Sequence, residues 1–214
     1  MFPMAKDSDG AVVVIDDDES VREALRGLFQ SVGMVTQIYG SVQAFVESGQ
    51  VDRAGCIVLD IRLPGRSGLE FQEALARNGA THSVVLISGH VDVQMAVRAM
   101  KAGAVDVLTK PVREQDLLEA VNRALALDQQ RRVEARRDGA LRSRHATLSE
   151  RERQVFTLVA AGLLNKQIAE RAAITEATVK LHRSQVMKKM EAESLPELVR
   201  MADRLAKDQA CPDL

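Results

Sequence analysis

VVVIDDDES, residues 12–20, sets four β-branched residues directly against four acidic ones. A continuous apolar run of this length reads as a strand buried on both faces, as in a parallel sheet. The acidic residues then stand at the strand's carboxyl end, where like charges repel. Their neighbours in the fold must relieve that repulsion.

Counting 11–15, five such runs follow one another, the others at 35–38, 56–60, 84–87 and 105–108. Helical periods lie between them. Val21, Ala24, Leu25, Leu28, Phe29 and Val32 follow the i, i+3, i+4, i+7 pattern, and Gly33 can close that helix. Further helices are expected at about 41–48, 68–78, 92–102 and 113–127. Alternation of this kind predicts an α/β domain with a five-stranded parallel sheet covered on both faces. If the strand order is the flavodoxin-like 2-1-3-4-5, the first and third strands are neighbours. Asp16 and Asp17 end the first and Asp60 ends the third, so three carboxylates would converge on one edge.

Hard oxygen ligands in that number suit Mg²⁺, which keeps several waters and needs few protein ligands. Asp18 and Glu19 read instead as acids at a helix N-terminus, where they complement its dipole. Ser88 ends the fourth strand and Lys110, followed by Pro111, ends the fifth. Three carboxylates, an ammonium and a hydroxyl on one rim are the groups that bind a phosphoryl group, with Asp60 as nucleophile.

The charge is uneven. Residues 1–127 carry 12 Lys and Arg against 17 Asp and Glu, residues 128–145 carry 6 against 3, and residues 146–214 carry 11 against 10. That pattern fits an acidic module joined by a basic segment to one that meets a polyanion. There is no apolar run of the roughly 18 residues a membrane span needs, and the opening MFPMAKDSDG has no signal-peptide core. The two cysteines, Cys56 and Cys211, form no disulfide framework and no metal cluster. A cytoplasmic protein with no membrane partner is expected. Met95 and Met100 read as core residues.

After Leu127 the fifth helix is expected to continue into DQQRRVEARRDGALRSRH, which is helix-permissive as far as Asp138-Gly139. The remainder has helices only. TLSERERQVFTLVAAG opens on a capping box, Ser149 and Glu152. NKQIAERA follows with Asn165 as its expected cap. TEATVKLHRSQVMKKM starts at Thr175, with Ile174 and Val179 spaced as a hydrophobic staple, and SLPELVRMADRLAK starts at Ser194. These make four helices with a short turn at 172–175, the helix-turn-helix arrangement. On a helix over 176–190, Val179, Val186 and Met190 share the core side. Lys180, Leu181, Ser184 and Lys188 fall opposite, a stripe suited to a major groove, with Arg183 and Lys189 on the flanks for phosphates.

Residues 11–127 resemble a response-regulator receiver domain in DDD at 16–18, LDIRLPGRSG at 59–68, ISGH at 87–90 and LTKP at 108–111. That resemblance implies phosphorylation of Asp60 by a sensor histidine kinase. It also implies Mg²⁺ on Asp16, Asp17 and Asp60, a switch through Ser88, pairing of Lys110 with the phosphoryl group, and a cis Lys110-Pro111 bond. At Arg62 and His90 it implies tuning of the phosphoryl group's lifetime. Residues 147–207 are similar to the DNA-binding domain of LuxR-, NarL- and FixJ-type regulators, and SGH leans towards the FixJ type. The expected organisation is a receiver over 9–127, a helical linker over 128–145 and a helix-turn-helix domain over 146–208. The expected partners are the kinase, double-stranded promoter DNA, a second copy after phosphorylation and RNA polymerase. One position departs from the family: Val107 stands where an aromatic residue is usual. A DNA-binding regulator with a non-switching receiver is therefore an alternative. A covalent Mg²⁺ phosphohydrolase is another, although Arg62 replaces the second Asp such enzymes place two residues after the nucleophile.

Overall fold

The computed structural model describes residues 10–51, 54–65, 67–77 and 82–209. Cys211 and the N-terminal tail up to residue 9 lie outside the described residues. The elements run in the order β1 (Ala11–Ile15), α1 (Glu19–Ser31), β2 (Thr36–Tyr39), α2 (Val42–Glu47), β3 (Ala54–Asp60), α3 (Gly68–Arg77), β4 (Val84–Ser88), α4 (Val93–Lys101), β5 (Asp106–Thr109), α5 (Glu114–Ala146), α6 (Glu150–Ala160), α7 (Asn165–Ala172), α8 (Glu176–Met190) and α9 (Leu195–Gln209). The chain divides into two units, residues 1–132 and 133–214.

In the first unit the strands pair in parallel, as the alternating pattern predicts, and their order is 2-1-3-4-5, which sets β1 beside β3. Side chains alternate across each strand, so successive residues feed opposite layers. Val13, Ile15, Ile57, Leu59 and Leu86 pack with Val42, Phe45, Leu69, Phe71 and Ala99 from α2, α3 and α4. Val12, Val14, Cys56, Val58, Val85 and Ile87 pack with Phe29 of α1 and with Leu117, Ala120, Val121 and Ala124 of α5. Both sheet faces are thus covered, which is why the strands read as unbroken apolar runs. Tyr39 lies against Phe45, which meets Phe71 edge-on. Met95 packs on this core. Met100, expected there too, is exposed, because α4 turns that position outward.

Gly68 opens α3 directly beneath the end of β3. A Cβ there would stand 2.1 Å from the Asp60 carbonyl oxygen. Only glycine allows this approach.

In the second unit, Leu148, Val155, Phe156, Val159, Ile168, Val179, Val186, Met190, Leu198 and Leu205 form one core. The capping box of Ser149 and Glu152 is present. Ile174 and Val179 belong to the same apolar cluster, as the staple spacing predicts. One expectation is exceeded and one changes. Helix α5, helix-permissive in sequence as far as Asp138-Gly139, runs on through the expected helical linker to Ala146 and buries Leu141 in this core. A single helical glycine costs about 1 kcal/mol relative to alanine, which burial of Leu141 outweighs, and Asp138 also pairs with Arg204 of α9. Asn165 is not the α7 cap. Leu164 occupies that position, the Gln167 side chain accepts its N–H at 2.9 Å, and Asn165 Oδ1 accepts from Arg183 instead. Among the described residues no helix is long and apolar enough to cross a membrane.

Candidate functional site

Parallel pairing brings the carboxyl ends of β1, β3, β4 and β5 onto one edge. Asp16 follows β1 and is 0% exposed. Asp60 ends β3 and is 5% exposed. Asp17 is exposed. One carboxylate oxygen from each lies within 4.8 Å of the others. From the end of β5, Lys110 donates to Asp16 Oδ2 at 2.6 Å and to Asp60 Oδ2 at 2.5 Å. The Lys110-Pro111 peptide is cis. Asp16 Oδ1 accepts the Asp18 N–H at 3.0 Å, and Asp60 Oδ1 accepts the Arg62 N–H at 2.9 Å.

The electrostatics follow from burial. Loss of water raises the Asp16 carboxyl above the ordinary carboxylate value, and its bonds to Lys110 and Asp18 offset part of that rise. Burial alone would lower the Lys110 ammonium, but hydrogen bonds and charge from Asp16 and Asp60 hold it above its usual value. Hence Lys110 is a fixed cation between two largely buried carboxylates, whereas Asp17 is exposed. Three oxygen donors this close, with no sulfur or imidazole among them, fit a hard divalent cation such as Mg²⁺.

Ser88 is buried at the end of β4. Its hydroxyl donates to the His90 carbonyl at 3.1 Å and accepts the His90 N–H at 3.4 Å. The Arg62 and His90 side chains are exposed beside the pocket. Val107 is half-buried and packs on the α2–α4 side of the sheet. Asp18 caps α1 by accepting from Ser20 and Val21, in line with its reading as a helix-terminus acid. Sequence reasoning missed Arg22, whose guanidinium donates to the carbonyls of Asp16 and Asp17. Its place four residues after Asp18, one turn into α1, was the available signal.

In the second unit, Val179, Val186 and Met190 are wholly buried. Lys180, Leu181, Ser184 and Lys188 are exposed together on the other side of α8, and Leu181 is 59% exposed. The two flanking cations are differently placed. Arg183 Nη1 donates to Asn165 Oδ1 at 2.7 Å. Lys189 Nζ donates to Glu152 Oε2 at 2.6 Å and to the Thr147 carbonyl at 3.3 Å. Lys189, read from the sequence as a phosphate contact, is therefore held against α6. The bond from Lys189 and the Ser149 N–H keep the Glu152 carboxyl below its usual value.

Residues 12–122 match the response regulator receiver domain, and residues 146–202 match the bacterial regulatory proteins of the LuxR family. This chain belongs to the two-component response regulators that join a receiver to a LuxR-type DNA-binding domain. It is 48% identical over 194 residues to nodulation protein W of Bradyrhizobium diazoefficiens, covering 91% of this chain and 86% of that one. It is 46% identical to the transcriptional regulatory protein FixJ of Azorhizobium caulinodans, covering 89% and 90%. Among solved structures it is similar to the response regulator StyR, with TM-score 0.82, 42% identity and 92% and 99% of the two chains covered. Full-length FixJ from B. japonicum matches with TM-score 0.54, 37% identity and coverage of 92% and 98%.

Proposed function

We propose that Asp60 accepts a phosphoryl group from a sensor histidine kinase and that the modified protein binds promoter DNA through α8. The observation that carries this is the Lys110 ammonium held between Asp16 and Asp60. It sets a cation beside the reacting carboxylate, where charge develops on the transferring phosphoryl oxygens. An Asp60 oxygen attacks phosphorus. The P–N bond to the kinase's imidazole breaks and its electron pair stays on the nitrogen. Asp16, Asp17 and Asp60 would hold Mg²⁺, which when bound neutralises charge on the phosphoryl oxygens.

Phosphorylation adds about 1.5 to 2 negative charges. In this reading Ser88 leaves the His90 backbone for the phosphoryl oxygens, Lys110 pairs with them, and a pre-existing equilibrium shifts. Arg62 and His90 screen the acyl phosphate from water. Val93, Val97 and Met100 lie exposed along α4, and that face is the one we assign to a second copy. Lys180, Leu181, Ser184 and Lys188 enter the major groove. A pair of modules is needed, because few phosphate contacts give little affinity and two half-sites multiply them. The phosphoacceptor then belongs to residues 9–127, the DNA reader to 146–208, and the stretch 128–145 links them. A cytoplasmic setting and contact with RNA polymerase at the promoter complete the reading.

Incubation with acetyl phosphate and Mg²⁺ tests it. Intact-mass measurement is expected to show one phosphoryl adduct, absent in Asp60→Asn, and a gain in DNA affinity at stated salt. Turnover of external phosphate esters would point to a phosphohydrolase. An adduct with no change in oligomeric state or DNA affinity would mark a non-switching receiver.

A further inference from the structure

The loop that carries Asp16 and Asp17 is held from behind by one side chain. Arg22 Nη1 donates to the Asp16 carbonyl at 2.8 Å and to the Asp17 carbonyl at 2.9 Å. Successive carbonyls of a strand point in opposite directions, so one nitrogen can reach two in a row only where the chain turns. Arg22 itself is fixed by its own N–H, which donates to the Asp18 carbonyl at 3.0 Å, and its guanidinium lies against Gly40 at the end of β2. Residues 16–22 thus close a ring of hydrogen bonds. Within it the Asp16 carboxylate is committed to Asp18 and Lys110, and the Asp18 carboxylate to Ser20 and Val21. The Asp17 carboxylate is left directed to the pocket with Asp16 and Asp60.

We infer that Arg22 is a positioning residue for the divalent cation: by fixing the two carbonyls it sets the Asp17 carboxylate at ligand distance from Asp60. This rests on the acid pocket being a cation site. Two physical effects oppose each other, which makes the inference decidable. Removing a positive charge close to a cation site strengthens cation binding by simple electrostatics. Releasing the loop weakens it, because outer groups that orient metal ligands are typically worth tenfold or more in affinity.

The experiment is a Mg²⁺ titration of the full-length protein, followed by ¹H–¹⁵N shifts of the Asp17, Asp60 and Arg62 amides, with no phosphodonor present. Wild type, Arg22→Met, Arg22→Lys and Asp17→Asn are compared. Arg22→Met is expected to bind Mg²⁺ about tenfold more weakly, with Arg22→Lys between it and wild type because an ammonium can still donate to the loop carbonyls, though it reaches the two less well than a guanidinium. Wild-type or tighter affinity in Arg22→Met overturns the inference while leaving the cation site intact. Failure of wild type to bind, or unchanged binding in Asp17→Asn, overturns the cation site itself and the inference with it. Should Arg22→Met fail to fold, Arg22→Gln is judged by the same criteria.

Discussion

Lys189 on α8 is joined to Glu152 in the first turn of α6 by a 2.6 Å hydrogen bond, and the same carboxylate oxygen receives the Ser149 N–H at 2.7 Å. One nearly buried oxygen therefore caps α6 and seats α8 against it. Glu152→Ala is expected to destabilise the helical unit by about 1–2 kcal/mol, the range for a lost cap. The ion pair adds less, because the lysine end is over a third exposed. Hydrogen exchange of α6 and α8 amides in the full-length protein measures this. Unchanged protection would remove Glu152 from the account.

The same unit should weaken in acid by two steps. His145 lies against Phe156. Burial, and then the Arg153 charge, lower its pKa. A folded-state value below the unfolded one, about 6.5, means full stability above that pH and progressive loss as pH falls towards the folded value. Glu152 is also depressed, so its contribution is present above an unfolded value of about 4.3 and disappears as pH falls through the folded one. Urea midpoints for α6 and α9 protection should drop between pH 7.5 and 5.5 in wild type. His145→Gln should flatten that interval and leave the lower step.

Lys110→Met leaves Asp16 and Asp60 facing each other without their shared cation. A loss of about 3 kcal/mol is expected from removing one partner of a buried pair. Added Mg²⁺ should restore much of it by mass action. Thermal melts with and without Mg²⁺ decide the matter, and a variant as stable as wild type in chelator would contradict the pocket's electrostatics.

Gly68→Ala should displace the Asp60 carbonyl, since a methyl group cannot occupy that space. Overpacking of this kind costs about 1–3 kcal/mol. The rate of acyl-phosphate formation should fall with it, while DNA affinity of the unphosphorylated protein stays the same.

On α8 the exposed and the anchored lysines should separate. Lys180→Ala is expected to reduce the salt slope of DNA binding by about one unit, and Leu181→Ala to relax base preference at one position. Lys189→Met should lower stability and leave the salt slope alone. A smaller slope in Lys189→Met would restore that residue to the DNA face.

The receiver sheet was legible because both faces of its central strands are buried, so β1, β3 and β4 declare themselves as apolar runs without alternation. Asp16, Asp60, Ser88 and Lys110 were legible for a related reason: parallel strands with known order bring their carboxyl ends together. Pairing between distant helices left no such mark. The Lys189 bond to Glu152 spans 37 residues, and nothing in the periodicity of α8 separates an anchored lysine from a free one. Asn165 is a good cap by type, yet Arg183, which reaches it from the next helix but is distant in sequence, took its oxygen. Gly139 looked like an end because its cost is local, whereas Leu141 and Arg204 stabilise the longer helix from elsewhere in the fold.

The two outermost strands of the sheet, β2 and β5, are only four residues long, and Asp106 on β5 is tied to Arg123 of α5. Short, charged margins offer little template for another chain's backbone. Crowded copies of this protein are thereby steered away from fibrous ribbons built by strand-to-strand addition at the sheet's edges.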